Sequence, residues 1–325
     1  MSQFRSDIIK LTLPTPFAVG DVHAYLLKGD VLTLVDTGTK TEKSRQALEL
    51  GLKMEGYQLS DIEQVLITHH HPDHAGGVDF LSPDLPFIGH ANNQRWLTLS
   101  EEFLQEHDEF FYSLSKTLGV PSEFIGFIKY LRHSLKYSSA RVLSSCLQDG
   151  EAVPGHPGWR VIETLGHAQS HISLYRESDG RMIGGDHLLA KISPNPLLEP
   201  PLVKGEERPK SLLQYNQSIK ELYDLPISLV YPGHGENITD VQELISRNLN
   251  RQHERAMNVK EMIKTKPSTA FEICTKLFPK VFMKEPGLTL SETIGQLDYL
   301  LDREEIRLEE TDTGIIYTLN NRGQE

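Results

Sequence analysis

Residues 65–77 read VLITHHHPDHAGG and contain four of the 14 histidines in a chain of 325 residues. The first four residues of this stretch, Val65 to Thr68, are apolar or β-branched, which is typical of a buried strand. Such a density of histidine after a buried strand indicates a metal site rather than a polar surface loop. The possible metal ligands in the stretch are His69, His71, Asp73 and His74.

The spacing within this stretch predicts which side chains share a face. In extended backbone alternate side chains point the same way, so we expect His69 and His71 to lie together and His70 to point away. Pro72 keeps the residue before it out of the helical region, which preserves the extended geometry. The chain then enters a helix, for which Asp73 is the predicted N-cap. His74 would join the cluster from the first helical turn.

The pattern His69-x-His71-x-Asp73-His74 resembles the signature of the metallo-β-lactamase superfamily. The resemblance implies an α/β fold, an αββα sandwich in which two sheets lie between layers of helices. Three later predicted strands, near residues 159–165, 181–185 and 229–231, are each followed by one more ligand-type residue. These residues are His167, Asp186 and His234, in the order found in the superfamily.

The resemblance also implies how the ligands divide between two metal ions. The first ion takes His69, His71 and His167, the second takes Asp73, His74 and His234, and Asp186 bridges both. The expected cofactors are two zinc ions per chain, with iron or manganese as alternatives. Two ions roughly 3.5–4 Å apart can share a hydroxide that attacks the substrate, and Asp73 would orient this nucleophile. The implied enzyme is therefore a zinc-dependent hydrolase that needs no protein nucleophile.

Composition limits the classes of protein to which the chain can belong. Hydrophobic residues make up 38% and charged residues 24%, which is typical of a soluble globular protein. The two cysteines, Cys146 and Cys274, are too few for a disulfide framework, so nitrogen and oxygen atoms remain as metal ligands. We find no signal peptide and no membrane-spanning run, and we expect a cytoplasmic protein without a membrane partner.

Some residues near the ligands are predicted to support them. Asp36 follows a predicted hairpin of residues 22–35, where superfamily members carry an Asp-containing turn, so it is expected to orient a ligating histidine. A simple turn at the end of a strand is the alternative. Residues 166–171 read GHAQSH and differ from the pattern Gly-His-Thr-x-Gly-His of the superfamily, so substrate contacts of other members do not transfer. His171 is expected to lie behind the ligands and His187 to face the pocket.

The segment of residues 91–140 is rich in aromatic residues at helical spacing. A break at residues 119–121 divides it into two predicted helices. These helices form either a cap that roofs the metal site or a layer that packs on the core. The proline-rich loop of residues 191–209 is predicted to form one wall of the pocket. The aromatic residues are Trp96, Phe103, Phe110, Phe111, Tyr112, Phe124, Phe127, Tyr130 and Tyr137.

The chain divides into a predicted metallo-β-lactamase domain, residues 1–240, and a smaller domain, residues 241–325. The smaller domain shows helices followed by a hairpin, the outline of a winged helix. It resembles the C-terminal domain of the superfamily branch that includes animal β-lactamase-like ribonucleases. Residues 251–325 hold 11 Lys and Arg against 13 Asp and Glu, too few positive charges for a duplex-binding module. A structural role or a homodimer contact is favoured.

The leading functional hypothesis is hydrolysis of a small-molecule substrate: an ester, a thioester or a lactone. The alternative is a single-strand endoribonuclease or phosphodiesterase, which the C-terminal resemblance favours. The net charge of −12 opposes it, since an acidic surface repels nucleic acid, so a nucleic acid partner is not favoured. An iron-dependent oxygenase would keep fewer ligands, and a non-catalytic member would have lost some. All seven ligand positions are filled here.

Overall fold

The computed structural model describes residues 7–127, 132–312 and 314–320. Its first sheet consists of β1 (Ile8–Leu13), β2 (Val22–Lys28), β3 (Leu32–Val35), β4 (Gln64–Leu66), β5 (Phe87–His90) and β6 (Ser145–Leu147). These strands lie in chain order, with β1, β2 and β3 antiparallel and the following strands parallel. The predicted hairpin is therefore present, and the strand that carries the histidine motif lies inside the sheet.

A second sheet contains the strands that precede the other predicted ligands. Its strands are β7 (Trp159–Glu163), β8 (Ile172–Arg176), β9 (Arg181–Gly185) and β10 (Leu229–Pro232), in the spatial order β10-β9-β8-β7. Neighbours are antiparallel except for β9 and β10, which run parallel. Because they are parallel neighbours, the residues that follow β9 and β10 emerge at the same edge of the sheet.

Apolar side chains from both sheets fill the space between them. Tyr25 and Leu66 of the first sheet belong to the same buried cluster as Val161, Leu174 and Ile183 of the second. These side chains are almost completely removed from water. Burial of this kind supplies the main favourable contribution to folding, so the two sheets form a sandwich with one shared core.

Helices cover the outer faces of the sandwich. They are α1 (Glu42–Met54), α2 (Pro72–Ala75), α3 (Asn93–Thr98), α4 (Glu101–Thr117), α5 (Ser211–Tyr223), α6 (Val241–Thr265), α7 (Ala270–Leu277) and α8 (Pro286–Asp302). Leu48 and Leu52 of α1 pack on the first sheet, while Ile219 of α5 and Ile245 of α6 pack on the second. The predicted αββα architecture is confirmed. Within the described ranges, no helix is long and apolar enough to cross a membrane.

The aromatic segment differs from the predicted pair of helices. Helices α3 and α4 account for its first half, and Gly119 adopts a φ of 71° just after α4. Beyond this break the described chain forms only short 3₁₀ helices, at 122–127 and 133–137, while residues 128–131 lie outside the described part. In the described residues, the predicted second helix is present only as these short 3₁₀ helices. Phe124 explains part of this, because its ring packs away from the segment, against the C-terminal residue Phe271.

The C-terminal region adds a third sheet to helices α6, α7 and α8. Its strands are β11 (Ser268–Thr269), β12 (Ile306–Thr311) and β13 (Gly314–Leu319), in the order β11-β13-β12 and all antiparallel. The predicted hairpin is present, although Thr313 in its turn lies outside the described residues. The helices and the sheet share one apolar core, which Leu118 and Val120 of the aromatic segment also enter. The winged-helix form and a domain boundary at residue 240 stay predictions.

Candidate metal centre

The structure brings all seven predicted ligand residues into one cluster, which we call the centre. Each of them follows a strand of the sandwich, either in the loop after it or, for Asp73 and His74, in the short helix α2. Strand β4 leads to four of the residues, and strands β7, β9 and β10 each lead to one. The centre consists of His69, His71, Asp73, His74, His167, Asp186 and His234.

The motif leaves β4 in extended backbone and turns at once into the short helix α2. His71, not the predicted Asp73, is the N-cap residue, with φ −59° and ψ 147°. The N-cap prediction was wrong because Pro72 takes the first helical position, where its fixed φ and missing N–H are tolerated. Asp73 and His74 consequently sit inside the first turn, and their side chains are free to face the centre.

Three ring nitrogens meet among the ligands predicted for the first ion, His69, His71 and His167. His69 Nε2 lies 2.9 Å from His71 Nδ1, and His167 Nε2 lies 3.0 Å from the same His71 atom. Nitrogen atoms this close repel one another unless a proton or a cation lies between them. Both Nε2 atoms belong to rings that donate through Nδ1, so a single proton on His71 Nδ1 could fully satisfy only one of the two contacts, whereas one cation could bind all three nitrogens.

Atoms outside the centre fix which ring nitrogen carries the proton. An imidazole that donates from Nδ1 keeps the Nε2 lone pair, which then faces the centre. Three rings donate in this way to oxygen acceptors behind them. The pairs are His74 with the Asp36 carboxylate at 2.8 Å, His167 with the main-chain oxygen of Asn195 at 2.9 Å, and His234 with the main-chain oxygen of Asp21 at 2.7 Å.

Asp36 orients two histidines at once. Its carboxylate accepts the His74 ring and also the hydroxyl and the main-chain N–H of Thr68, each at 2.8 Å. Since the single hydroxyl proton of Thr68 goes to Asp36, the Thr68 oxygen accepts from His69 Nδ1 at 3.0 Å. Asp36 is buried and adopts a φ of 60°, an unfavourable conformation that these contacts hold in place. A simple strand-end turn would not account for these contacts.

Asp186 lies between the ligands predicted for the first ion and those predicted for the second. One carboxylate oxygen is 3.3 Å from His74 Nε2, and the other is 3.4 Å from His234 Nε2 and 3.6 Å from His167 Nε2. Among the ligands predicted for the second ion, the Asp73 carboxylate lies 3.3 Å from His234 Nε2. Asp186 therefore occupies the position from which a single carboxylate could contact two ions.

Both the main chain and the carboxylate of Asp186 are closely packed. Its main-chain N–H donates to His171 Nε2 at 3.0 Å, and the other nitrogen of that ring lies 2.7 Å from the Thr164 hydroxyl. A Cβ on Gly233 would overlap the Asp186 carboxylate and lie 2.7 Å from a carbon of the His74 ring. His171 thus lies behind the ligands, as expected, and Gly233 permits the close approach of the next loop.

The centre combines groups whose pKa values shift in opposite directions. Burial lowers the pKa of His69 and His71 well below the usual value, and neighbouring rings add to the effect. Burial would also lower the pKa of His74, but carboxylates, Asp186 first, raise it well above the usual value. The same carboxylate raises the pKa of His234 to about 10 against the effect of burial. Burial would raise the pKa of Asp186, yet both rings hold it well below its usual range.

The residues present fit a bound metal. Three buried atoms of the centre have no hydrogen-bond partner among the described residues: His74 Nε2, His234 Nε2 and Asp186 Oδ1. Buried polar atoms without partners are costly, so three around one space indicate that a ligand satisfies them. The donors are imidazole nitrogens and carboxylate oxygens, which zinc and other borderline divalent ions accept.

His70 points away from the centre, as predicted, but it is buried rather than exposed. Its ring stacks on Trp96 of α3, with centroids 4.4 Å apart and planes 6° apart. Its Nδ1 lies 2.8 Å from the hydroxyl oxygen of Ser170 in the loop that carries His167. The aromatic segment therefore contacts the motif through Trp96, and the Ser139 hydroxyl of the same segment donates to the main-chain oxygen of Gly76. Whether the segment roofs the pocket stays a prediction.

Glu199 in the proline-rich loop is a buried carboxyl group that the sequence interpretation missed. It accepts the main-chain N–H of Gln169 at 2.8 Å, and its carboxylate lies 4.0 Å from His70 Nε2. Burial raises the pKa of Glu199 to about 7, although hydrogen bonds from Gln169 and Trp96 oppose the shift. Nothing in the sequence distinguishes it from a surface glutamate. Its contacts hold the proline-rich loop against the loop that carries His167, and whether it forms a wall of the pocket stays a prediction.

His187 does not face a pocket, and that expectation was wrong. The turn after β9, in which the His187 N–H donates to Gly184 at 3.1 Å, directs the ring inward. The ring is completely buried, 5.1 Å from Tyr215 and 5.7 Å from His171 between ring centroids. Burial lowers the pKa of His187 to about 3, so the ring packs as a neutral group.

Known proteins share both this sequence pattern and this fold. Residues 18–234 match the family described as the Metallo-beta-lactamase superfamily. The probable metallo-hydrolase YqjP of Bacillus subtilis is 45% identical over 300 residues, which cover 92% of this chain and 94% of that protein. The crystal structure of a metallo-beta-lactamase family protein from Thermus thermophilus superposes with a TM-score of 0.80 at 28% identity. That match covers 96% of this chain and 98% of the other, so it includes most of the C-terminal region.

Two more distant relatives carry more specific names. A Beta-lactamase-like protein 2 homolog of Caenorhabditis elegans is 24% identical over 253 residues, 77% of this chain and 68% of that protein. The thioesterase pkgB of Emericella nidulans is 22% identical over 252 residues, 76% of this chain and 55% of that protein. This chain thus spans about half of the fungal protein. The first relative agrees with the branch to which the C-terminal resemblance points.

Proposed function

We propose that this protein hydrolyses a small ester, thioester or lactone with two zinc ions. The chain belongs to the metallo-beta-lactamase superfamily and is thereby a metallo-hydrolase. The observation that carries the proposal is the pairing of two ligand groups through one carboxylate. Asp186 reaches His167 in the first group and both His74 and His234 in the second. A single metal would leave one of these groups without a function.

One ion would be held by the first ligand group and the other by the second, with Asp186 between them. The ligand groups are His69, His71 and His167, and Asp73, His74 and His234. When bound, the ions would lower the pKa of a water molecule and polarise the scissile carbonyl group. Zinc is the first choice because the donors are mainly imidazole nitrogens; iron and manganese are the alternatives.

Asp73 is the residue to which we assign the proton transfer. Its carboxylate faces the centre, and one of its oxygens lies 3.3 Å from His234 Nε2. The carboxylate would orient the attacking water and accept its proton, then return the proton to the leaving group. His234 and the ligands around it would hold this carboxylate in place. The residues of the chain thereby supply orientation and proton transfer without acting as nucleophiles.

Within the ester-like class, a thioester is the substrate that we favour. The relative named as a thioesterase supports this choice. A thiolate is also a weaker base than an alkoxide, since thiols ionise near pH 8.5, so its departure needs little proton transfer. That requirement suits a centre in which one carboxylate performs the proton transfer. RNA cleavage, the alternative, would have to overcome a net charge of −12 on the chain.

The test compares substrates on one preparation of zinc-loaded protein. The panel contains an acyl coenzyme A thioester, a p-nitrophenyl ester, an acyl lactone and a single-stranded RNA oligonucleotide. We expect hydrolysis of the thioester, reduced by about 10²–10⁴-fold in Asp73→Asn. The exposed Asp224→Asn is the matched control and should retain full activity. RNA cleavage without hydrolysis of any acyl compound would establish the alternative, and inactivity on the whole panel would refute both.

A further inference from the structure

Residues 193–198, which we call the strap, lie between the centre and the C-terminal helices. One side of the strap holds the metal-ligand candidate His167. The main-chain oxygen of Asn195 accepts His167 Nδ1 at 2.9 Å, and the Leu197 N–H donates to the main-chain oxygen of His167 at 3.3 Å. The strap therefore fixes both the ring and the backbone of this residue.

The other side of the strap is bound by helices α6 and α8. Three hydrogen bonds cross this boundary, and each uses a different residue of the strap. They join Ser193 to Gln252 at 3.2 Å, the Asn195 side-chain amide to the main-chain oxygen of Leu288 at 2.9 Å, and the Leu198 N–H to the Ser291 hydroxyl at 3.1 Å. The C-terminal helices thus contact the strap along its length.

Helix α8 is itself held firmly enough to act as a support. Arg208, which follows the strap, donates to both carboxylate oxygens of Asp298 at 2.7 Å. Gln296 donates to Gln252 of α6 at 2.6 Å, in the buried interface between the two helices. A Cβ on Gly295 would lie 2.9 Å from Leu212 of α5, so α8 also packs closely on the sandwich. Bidentate pairs and close helix packing restrict movement of α8.

We infer that Asn195 is a positioning residue for His167, and that through it the C-terminal helices set the geometry of the metal centre. Its two polar groups face opposite ways: the main-chain oxygen orients the His167 ring, and the side-chain amide fixes the strap to α8. The inference rests on the proposed function, because it requires His167 to hold a metal ion. It assigns the C-terminal helices a role within the chain, separate from any contact with nucleic acid or a second copy.

The test removes the side-chain amide of Asn195 and leaves its main-chain oxygen in place. Asn195→Ala deletes the side chain, and Asn195→Asp keeps its shape but loses the N–H donor to Leu288. Asn320→Ala is the matched control, since its amide also donates to a main-chain oxygen, that of Glu304, at 2.9 Å. Each protein is loaded with cobalt or zinc. The affinity is measured by competition with a chelator, and the visible spectrum of the cobalt form reports the ligand geometry.

We expect both Asn195 variants to bind one of the two ions about 10-fold more weakly or worse, with an altered cobalt spectrum. The Asn320→Ala control should match the unmodified protein in both measurements. Unchanged affinity and spectrum in Asn195→Asp would overturn the inference, even if Asn195→Ala failed to fold. If the unmodified protein bound no metal, the proposed function would fail and the inference with it. The two failures are therefore distinguishable.

Discussion

At the scale of single residues, the centre depends on the atoms behind the ligands as much as on the ligands themselves. His74, His167 and His234 each donate from Nδ1 to an oxygen, which leaves Nε2 available. Two of these oxygens belong to the main chain, those of Asp21 and Asn195. Ring orientation is thus fixed before any metal arrives, so metal binding needs little rearrangement.

Close packing around Asp186 predicts the effect of adding one methyl group at Gly233. Gly233→Ala places a Cβ against the Asp186 carboxylate, so the carboxylate must move away from His74 and His234. We expect loss of at least one bound metal ion per chain and a large fall in turnover. Elemental analysis and kinetics test this. Gly126→Ala is the control, because a Cβ there meets no atom of the described residues within 4 Å; equal metal content in both variants would contradict the prediction.

The shifted pKa values predict proton release on zinc binding. The pKa of His234 is raised to about 10, so this ring carries a second proton, in addition to the one on Nδ1, at pH 7.5 in the metal-free protein. His69 and His71 are neutral there because burial lowers their pKa. We expect at least one proton released per chain, from His234, and a zinc affinity that rises with pH towards 10. Calorimetry in buffers of different ionisation enthalpy measures this release; none at pH 7.5 would contradict it.

The same pKa shifts determine whether the metal-free protein gains or loses stability as the pH rises. A histidine with a raised folded pKa stabilises the protein fully below its unfolded pKa, near 6.5. That stabilisation is lost as the pH rises through the folded pKa, which is about 10 for His234. The contribution of His234 to metal-free stability therefore falls between pH 6.5 and 10, over the range in which zinc binding strengthens.

At the scale of elements, strands were easier to predict from the sequence than the aromatic segment. The runs before His69, Asp186 and His234 are short, apolar and bounded by turns, and each forms a strand. The second helix predicted within residues 91–140 is present in the described residues only as two short 3₁₀ helices. Local spacing could not show that Phe124 packs on the distant residue Phe271, so the tertiary contact overrode the helical pattern.

Helix α8 gives a prediction at this scale. The Arg208–Asp298 pair joins it to the end of the proline-rich loop, with side chains 21% and 6% exposed. Asp298→Ala leaves a mostly buried guanidinium without its partner, so we expect the free energy of unfolding to fall by roughly 3 kcal/mol. Denaturant unfolding measures the change. Glu236→Ala removes the partner of Lys191 in a pair that is about three-quarters exposed, and it should change little. Equal effects would contradict this account of α8.

At the scale of the whole molecule, two sheets and a C-terminal region meet around one centre. The four candidate ligands of the motif were predictable from its density of histidine, and the other three from the resemblance to the superfamily, since a lone His or Asp after a strand is usually a polar loop residue. Glu199, Asn195 and the main-chain oxygen of Asp21 were not, since none has a local signature and each acts through contacts distant in sequence. The C-terminal fold was predictable in outline, but its contacts with the strap were not, because they depend on how α6 and α8 pack.

The central claim is that two metal ions act together in this chain. Metal-stripped protein is titrated with zinc, and bound metal and hydrolysis of the best acyl substrate are measured on the same samples. The two ligand groups joined by Asp186 predict that activity rises until about two zinc ions are bound per chain and then stays constant. Full activity with one bound ion, or undiminished activity in stripped protein, would contradict the claim.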